Sequence, residues 1–264
     1  MSATGHPQHR PRSPSASGES ETSVLLVLGT VWIVLNVAVV AFSEQSGTVV
    51  DPHRRVEPWL LVHYQAGTSQ DGLQYRLMQP LDLTSSARWP LVVYLHGSGE
   101  RGDDNQVQLR DLPWQLAEPH WRNRFPCFVL APQCPRNDHW TSHLERVSQL
   151  CNQLSRDYPI DRDRIYLTGY SMGGFGTWHL AAARPDQFAA VVPLAGGGDP
   201  QHAAELTSIP LWAFHGAHDK AVPVTESRQM IAAIEEAGGT PRYTEFSQAG
   251  HGITRRTYQA EHGV

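Results

Sequence analysis

Past residue 58 the chain reads as short apolar runs divided by polar joints that carry proline or glycine. "PLVVYLHG" (90–97) and "CFVLAPQ" (127–133) are continuous apolar runs, the pattern of strands buried on both faces. "LQYRLMQP" (73–80) predicts an earlier strand that stops at Pro80. "RIYLTG" (164–169), "FAAVVPLAGG" (188–197) and "IPLWAFHG" (209–216) predict three more, and "RYTEFSQAGHG" (242–252) a last strand running into a loop. Between them lie helical periods. Leu144, Val147, Leu150, Cys151 and Leu154 share one face, with Thr141 or Ser142 as cap and Pro159 as stop. A second helix runs from Met172 to about Ala183. A third, in "VTESRQMIAAIEEAGG" (224–239), has Thr225 as its expected N-cap and ends at Gly238-Gly239. Strands that alternate with helices and are apolar on both faces predict an α/β fold, a mainly parallel doubly wound sheet with helices on both faces. The segment from Glu100 to Glu118 shows no period that predicts an element.

The first 58 residues obey different rules. Residues 1–22 are rich in Ser, Pro and Gly, lack an apolar period, and predict a disordered tail. Residues 23–43 contain "VLLVLGTVWIVLNVAVVAF", 19 residues from Val24 to Phe42 without a formal charge. As a helix this run spans about 30 Å, the thickness of bilayer hydrocarbon. Signal-anchor helix, cleaved signal peptide and buried helix compete for it. Nothing polar marks a solvent face, against the buried helix. The length exceeds a usual signal-peptide core and fits an anchor, while "AFS" before Glu44 offers a small-residue cleavage site. Either export reading places the domain 59–264 outside the cytoplasm, with 44–58 as a linker and the membrane as a contact if the segment stays uncleaved.

The bulk composition narrows the function. The formal charge of −5 leaves no basic surplus for nucleic acid. Cys127, Cys134 and Cys151 have neither the number of a disulfide framework nor the spacing of a metal site, and are read as reduced core residues or as one pair plus a free thiol. No metal or organic cofactor is expected. The oligomeric state is not legible.

The chemistry concentrates at "TGYSMGG" (168–174), where Ser171 stands between a buried strand and a helix. A tight strand-to-helix turn pushes its hydroxyl out at the carboxyl end of the sheet, and Gly169 and Gly173 remove the bulk that would clash, the nucleophile-elbow pattern G-x-S-x-G. A serine hydroxyl needs a base, and the base a carboxylate. Asp219, in "FHGAHDKAVPV", and His251, in "QAGHGI", each follow a strand. Asp199 and Glu245 rival the acid. His179, His215 and His218 rival the base, His215 being read as a buried, hydrogen-bonded histidine. An oxyanion needs preorganised donors. The glycine-rich loop "LHGSGERGDDN" supplies the Ser98 N–H, and the helix start supplies the Met172 N–H.

"LHGSGERGDDN", "APQCP", Trp140, "GYSMGG", "FHGAHDKAVPV" and "AGHGITRRTY", in that order over roughly residues 70–258, resemble the α/β-hydrolase superfamily. Within it the chain is similar to bacterial exported carboxylesterases and predicted peptidases, to which feruloyl esterases and polyhydroxybutyrate depolymerase-like enzymes are related. The resemblance implies a small-molecule ester substrate, Ser171, Asp219 and His251 as the triad, and Ser98 and Met172 as oxyanion donors. It further implies Gly97, Gly99, Glu100, Arg101, Trp140 and Tyr170 around the substrate, with Glu100 and Arg101 bracing the loop and Trp140 walling the site. Relatives carry a further helix after the histidine loop. This sequence ends 13 residues after His251, so a shortened helix and a looser histidine loop are expected. Peptide cleavage by the same groups and a catalytically inactive binding fold are the alternative functions. Trp114, Trp121, Arg110 and Arg122 fit either a site for an aromatic or sugar-linked ester or a plain surface loop.

Overall fold

The computed structural model describes Met1, residues 56–83 and residues 87–258. The tail 1–22, the apolar run 23–43 and most of the linker 44–58 lie outside the described residues; among those described, no helix is long and apolar enough to cross a membrane. Helix α1 (Pro58–Leu61) precedes an edge hairpin, β1 (Tyr64–Thr68) and β2 (Gln74–Met78). The chain then runs through β3 (Trp89–Leu95), α2 (Leu112–Ala117), α3 (Pro119–Arg124), β4 (Phe128–Pro132), α4 (Leu144–Asp157), β5 (Ile160–Tyr170), α5 (Met172–Ala183), β6 (Ala190–Leu194), β7 (Trp212–Gly216), α6 (Thr225–Glu236), β8 (Arg242–Phe246) and α7 (Thr254–Tyr258).

The eight strands form one sheet in the order β1-β2-β4-β3-β5-β6-β7-β8. β1–β2 and β2–β4 pair antiparallel, and every other pair is parallel. The apolar runs explain this. Leu91, Val93, Leu130, Ile165 and Leu167 feed a core on one face with Val147, Leu150 and Leu154 of α4, Trp178 of α5 and Met230 and Ile234 of α6. Val92, Tyr94, Val129, Tyr166, Val192 and Phe214 alternate with them and feed the other face, which Leu60 of α1, Leu112 and Leu116 of α2, Trp121 of α3 and Tyr258 of α7 cover. A strand with both faces buried cannot alternate apolar and polar residues.

Several local features differ from the sequence expectation. β1, "YQAGT", was not predicted, because its burial alternates weakly and the strand is held by pairing: Ser69 N–H donates to Leu73 O at 2.9 Å across a turn in which Gly72 takes φ 85°. α2 and α3 fall within and just after the segment that predicted nothing, each starting around a proline at its first turn. Thr141 and Ser142 do not cap α4. They belong to a 3₁₀ turn with Trp140, and His143 stands at the N-cap without a side-chain bond. Thr225 is the first helical residue of α6 rather than its cap, which is Val224. The three cysteines are free and buried, and burial pushes each thiol up to about 12.

The contact that seats α5 is the tightest at any glycine among the described residues. A Cβ on Gly173 would lie 1.8 Å from Leu95 O, and one on Gly169 would lie 2.4 Å from Gly173 O. Backbone meets backbone at the end of β3, so neither partner can swing aside as a side chain would. Gly173→Ala is therefore expected to lower Tm by about 10 °C or more, or to prevent folding. Gly99→Ala, where a Cβ meets nothing within 4 Å, should leave Tm within about 2 °C of the parent in the same thermal melt.

Candidate active site

Ser171 joins β5 to α5 with φ 57° and ψ −117°. A non-glycine residue held there stores about 1–3 kcal/mol of backbone strain, sustained only because the surroundings over-determine it. Two bonds do so: Ser171 N–H donates to Leu194 O at 2.9 Å, and Ser171 O accepts from Phe175 N–H at 3.0 Å. The turn lifts the hydroxyl to the carboxyl rim of the sheet. There Ser171 Oγ lies 2.9 Å from His251 Nε2, and His251 Nδ1 lies 2.6 Å from Asp219 Oδ2. An unbroken hydrogen-bonded chain thus crosses from the end of β5 to the loops after β8 and β7.

Asp219 is fully enclosed, its side chain 0% exposed. Its Oδ1 accepts from Ala221 N–H at 2.8 Å and Val222 N–H at 2.9 Å. Burial alone would push its carboxyl up. Hydrogen bonds from His251, Val222 and Ala221 outweigh burial and hold it below the usual carboxylate range, so it stays ionised beside His251. Asp199 and Glu245 are committed elsewhere. Asp199 caps a 3₁₀ turn through Gln201 N–H at 2.9 Å, and Glu245 pairs with Arg228 at 2.6 and 2.9 Å.

The loop after β3 faces the same point. Among the described residues, the Ser98 and Met172 N–H groups donate to no protein acceptor. Met172 opens α5, so its N–H carries the positive end of the helix dipole. The Gly97–Ser98 peptide is fixed from behind. His96, fully buried, accepts from Cys134 N–H through Nε2 at 2.9 Å and so donates through Nδ1 to Gly97 O at 2.6 Å. Burial lowers its pKa to about 4, which keeps the ring neutral and this tautomer in place. Pinning the carbonyl of a planar peptide aims the N–H on its other side.

Residues 137–262 match the model of the Dienelactone hydrolase family. That match covers a little under half of the chain. The domain has the α/β-hydrolase fold. A solved thermostable esterase superposes with a TM-score of 0.70 at 38% identity, covering 76% of this chain and 61% of that one. A bifunctional acetylxylan esterase/xylanase of Neocallimastix patriciarum is 28% identical over 138 residues, 49% of this chain and 19% of that protein. A probable feruloyl esterase C of Aspergillus niger is 24% identical over 192 residues, 71% of this chain and 70% of its own. The chain thus spans only about a fifth of the length of the two-activity fungal protein and less than two thirds of the solved esterase.

The hydrolase domain redistributes the other expected site residues. Trp140 does not wall the site. It is 0% exposed beneath the loop, its indole N–H donating to His96 O at 2.9 Å, because the small Gly176 on α5 leaves room for the ring below. Arg101 braces the loop through Ser98 O at 3.1 Å and Asp138 O at 3.3 Å. Glu100 Oε1 lies 3.5 Å from Arg110 Nη1. Gly97 sits against Glu100 and Tyr170, while Gly99 faces open space. Tyr170 holds His251, donating from its hydroxyl to His251 O at 3.0 Å with the rings 5.0 Å apart. Of the loop aromatics, Trp121 is buried and stacked on Phe125, and the half-buried Trp114 packs edge-on against Trp59. Arg122 turns to Gln79 O and His63.

The histidine loop is tied to the rest of the domain through Thr254 and Tyr258. Thr254 Oγ1 donates to Asp111 Oδ1 at 2.9 Å, Gln115 Nε2 donates to Tyr258 O at 2.7 Å, and Tyr258 OH bonds Thr168 Oγ1 at 2.8 Å. Asp111, buried with φ 53° and also bonded to Tyr94 OH at 3.1 Å, had no signal in the sequence. Its partners lie 17 and 143 positions away.

Burial, with the Asp111 charge adding to it, raises Glu100 from its ordinary 4.5 to about 7. The folded state then holds this proton where the unfolded chain has lost it, so stability falls as pH rises from 4.5 to about 7 and stays lower above. Glu100→Gln is expected to raise Tm at pH 8 by about 3 °C or more relative to the parent and to give no gain at pH 5. Melting both proteins at the two pH values checks the sign.

Proposed function

We propose that the domain is a serine carboxylic-ester hydrolase that works through an acyl-enzyme. The observation that carries the reading is the chain Ser171–His251–Asp219 built on a strained strand-to-helix turn. His251 Nε2 takes the hydroxyl proton as Ser171 Oγ bonds to the ester carbonyl carbon. The carbonyl oxygen becomes an anion and accepts from the Ser98 and Met172 N–H groups. Nδ1–H stays on His251, where Asp219 stabilises the imidazolium. Collapse breaks the bond to the alcohol, which departs with the proton from Nε2. Water, deprotonated by His251, then releases the acid and returns the serine. Arg101, the His96–Gly97 bond and Tyr170 hold donors and base in register for both halves.

Feruloyl and acetylxylan esterases among the relatives support an ester rather than an amide as substrate. The acylaminoacyl peptidase that shares the architecture is 14% identical, a likeness of fold alone. The apolar run at 23–43 and a relative described as a secreted protein, from Arthroderma benhamiae, support a place outside the cytoplasm. Hydrolysis of p-nitrophenyl acetate by the full chain is the direct assay. Ser171→Ala and His251→Ala should each lower kcat/KM by at least about three orders of magnitude with an unchanged melting curve. Turnover that survives Ser171→Ala contradicts the proposal.

A further inference from the structure

His215 does not touch the serine, yet it is fully buried at the end of β7, and no step above uses it. Its Nδ1 is 2.8 Å from Ser227 Oγ on α6, and its Nε2 is 3.1 Å from Val222 O and 3.3 Å from Asp219 Oδ2. Ser227 Oγ also lies 2.8 Å from Gly196 O. The ionisable groups around the ring are Asp219 and His251 in the loops and Glu245 beside it on β8.

The protons can be assigned. Gly196 O, Val222 O and the Asp219 carboxylate only accept, and Ser227 has one hydroxyl proton to give. If that proton goes to Gly196 O, Nδ1 must donate to Ser227. Nε2 then turns a lone pair on two acceptors unless the ring is charged. If it goes to Nδ1, Nε2 keeps its hydrogen and donates to Val222 O and Asp219 Oδ2, and only Gly196 O is left short. Each neutral arrangement leaves an acceptor short, but the second loses only Gly196 O, whereas the first leaves both Val222 O and Asp219 Oδ2 facing a lone pair; the charged ring that would serve all three is opposed by burial.

We infer that His215 is a positioning residue for the acid, a second imidazole donor on the oxygen of Asp219 that already binds His251. The inference rests on the serine-hydrolase reading above. Asp219 then has a partner at each oxygen: two backbone N–H groups fix Oδ1, while Oδ2 lies 2.6 Å from His251 in the loop after β8 and 3.3 Å from His215 at the end of β7. The carboxylate cannot rotate away from His251, and part of its charge is spent on His215. Ser227 fixes the ring's tautomer in turn, which links α6 to the site. "FHGAHD" thus places the acid and its holder four residues apart, one at the strand end and one in the loop after it.

Three variants of the full chain test this: His215→Gln, whose amide N–H reaches toward the Nε2 position; His215→Asn, which keeps a polar group near Ser227 but no donor to Asp219; and Ser227→Ala. The fraction of protein with a competent serine is counted by a fluorophosphonate probe, and kcat, KM and the pH profile are taken per labelled serine. His215→Asn should lower kcat about tenfold or more with KM within about twofold, as misplacement of a reacting group does. Its acid limb of kcat/KM should move to higher pH, because a carboxylate without its second donor holds the His251 proton more tightly. His215→Gln should restore kcat to within about threefold of the parent, and Ser227→Ala should fall between the two. Unchanged kcat per labelled serine in His215→Asn overturns the inference. So does a loss that leaves the acid limb in place and is not rescued by Gln, since that is the mark of a packing role. A parent protein that takes no label and turns over no ester overturns the serine-hydrolase reading, and this inference with it.

Discussion

The close approach of α5 to the end of β3 governs the rest of the molecule. Gly173 and Gly169 leave no side chain between the first turn of that helix and the Leu95 carbonyl. The helix can therefore start directly above the sheet, and Ser171 is forced into its left-handed turn. Because the same contact touches the backbone of β3, the loop that follows β3 is carried to the helix N-terminus. The Ser171 hydroxyl and the Ser98 and Met172 N–H groups are thus placed by one piece of backbone packing, before any side chain is chosen.

A second layer holds His251 and Asp219. His251 sits in a loop, and loops move unless they are tied. Here Tyr170, next to the serine, binds the histidine's own carbonyl, and Asp111 binds Thr254 three residues further on. Asp219 and His96 illustrate opposite solutions to burying an ionisable group. The carboxylate stays charged because donors surround it. The imidazole stays neutral because Cys134 N–H and Gly97 O each need one particular tautomer. Each state is the one that ester chemistry at this rim would require.

How legible this was follows from the range of the forces involved. The central strands, α4 to α6 and the order serine, acid, histidine are written in local patterns: continuous apolar runs, helical periods and glycines beside Ser171. β1 is held by its hairpin partner, α2 and α3 by packing on the second core, and Asp111 by residues far along the chain, so a local window carries little of them. Trp140 illustrates the converse. Its place next to the motif suggested a wall of the site, but the cavity that receives it is made by Gly176 on a different element. His215 was legible as buried, whereas its 3.3 Å approach to Asp219 depends on the loop that follows β7.

The account stands on Ser171 being the activated nucleophile. Treating the full chain with a fluorophosphonate and locating the adduct by mass spectrometry measures this directly. One adduct, on the peptide that contains Ser171 and absent in His251→Ala, is the result the geometry predicts. A protein that stays unmodified, or is modified at another residue while Ser171 remains free, would contradict it.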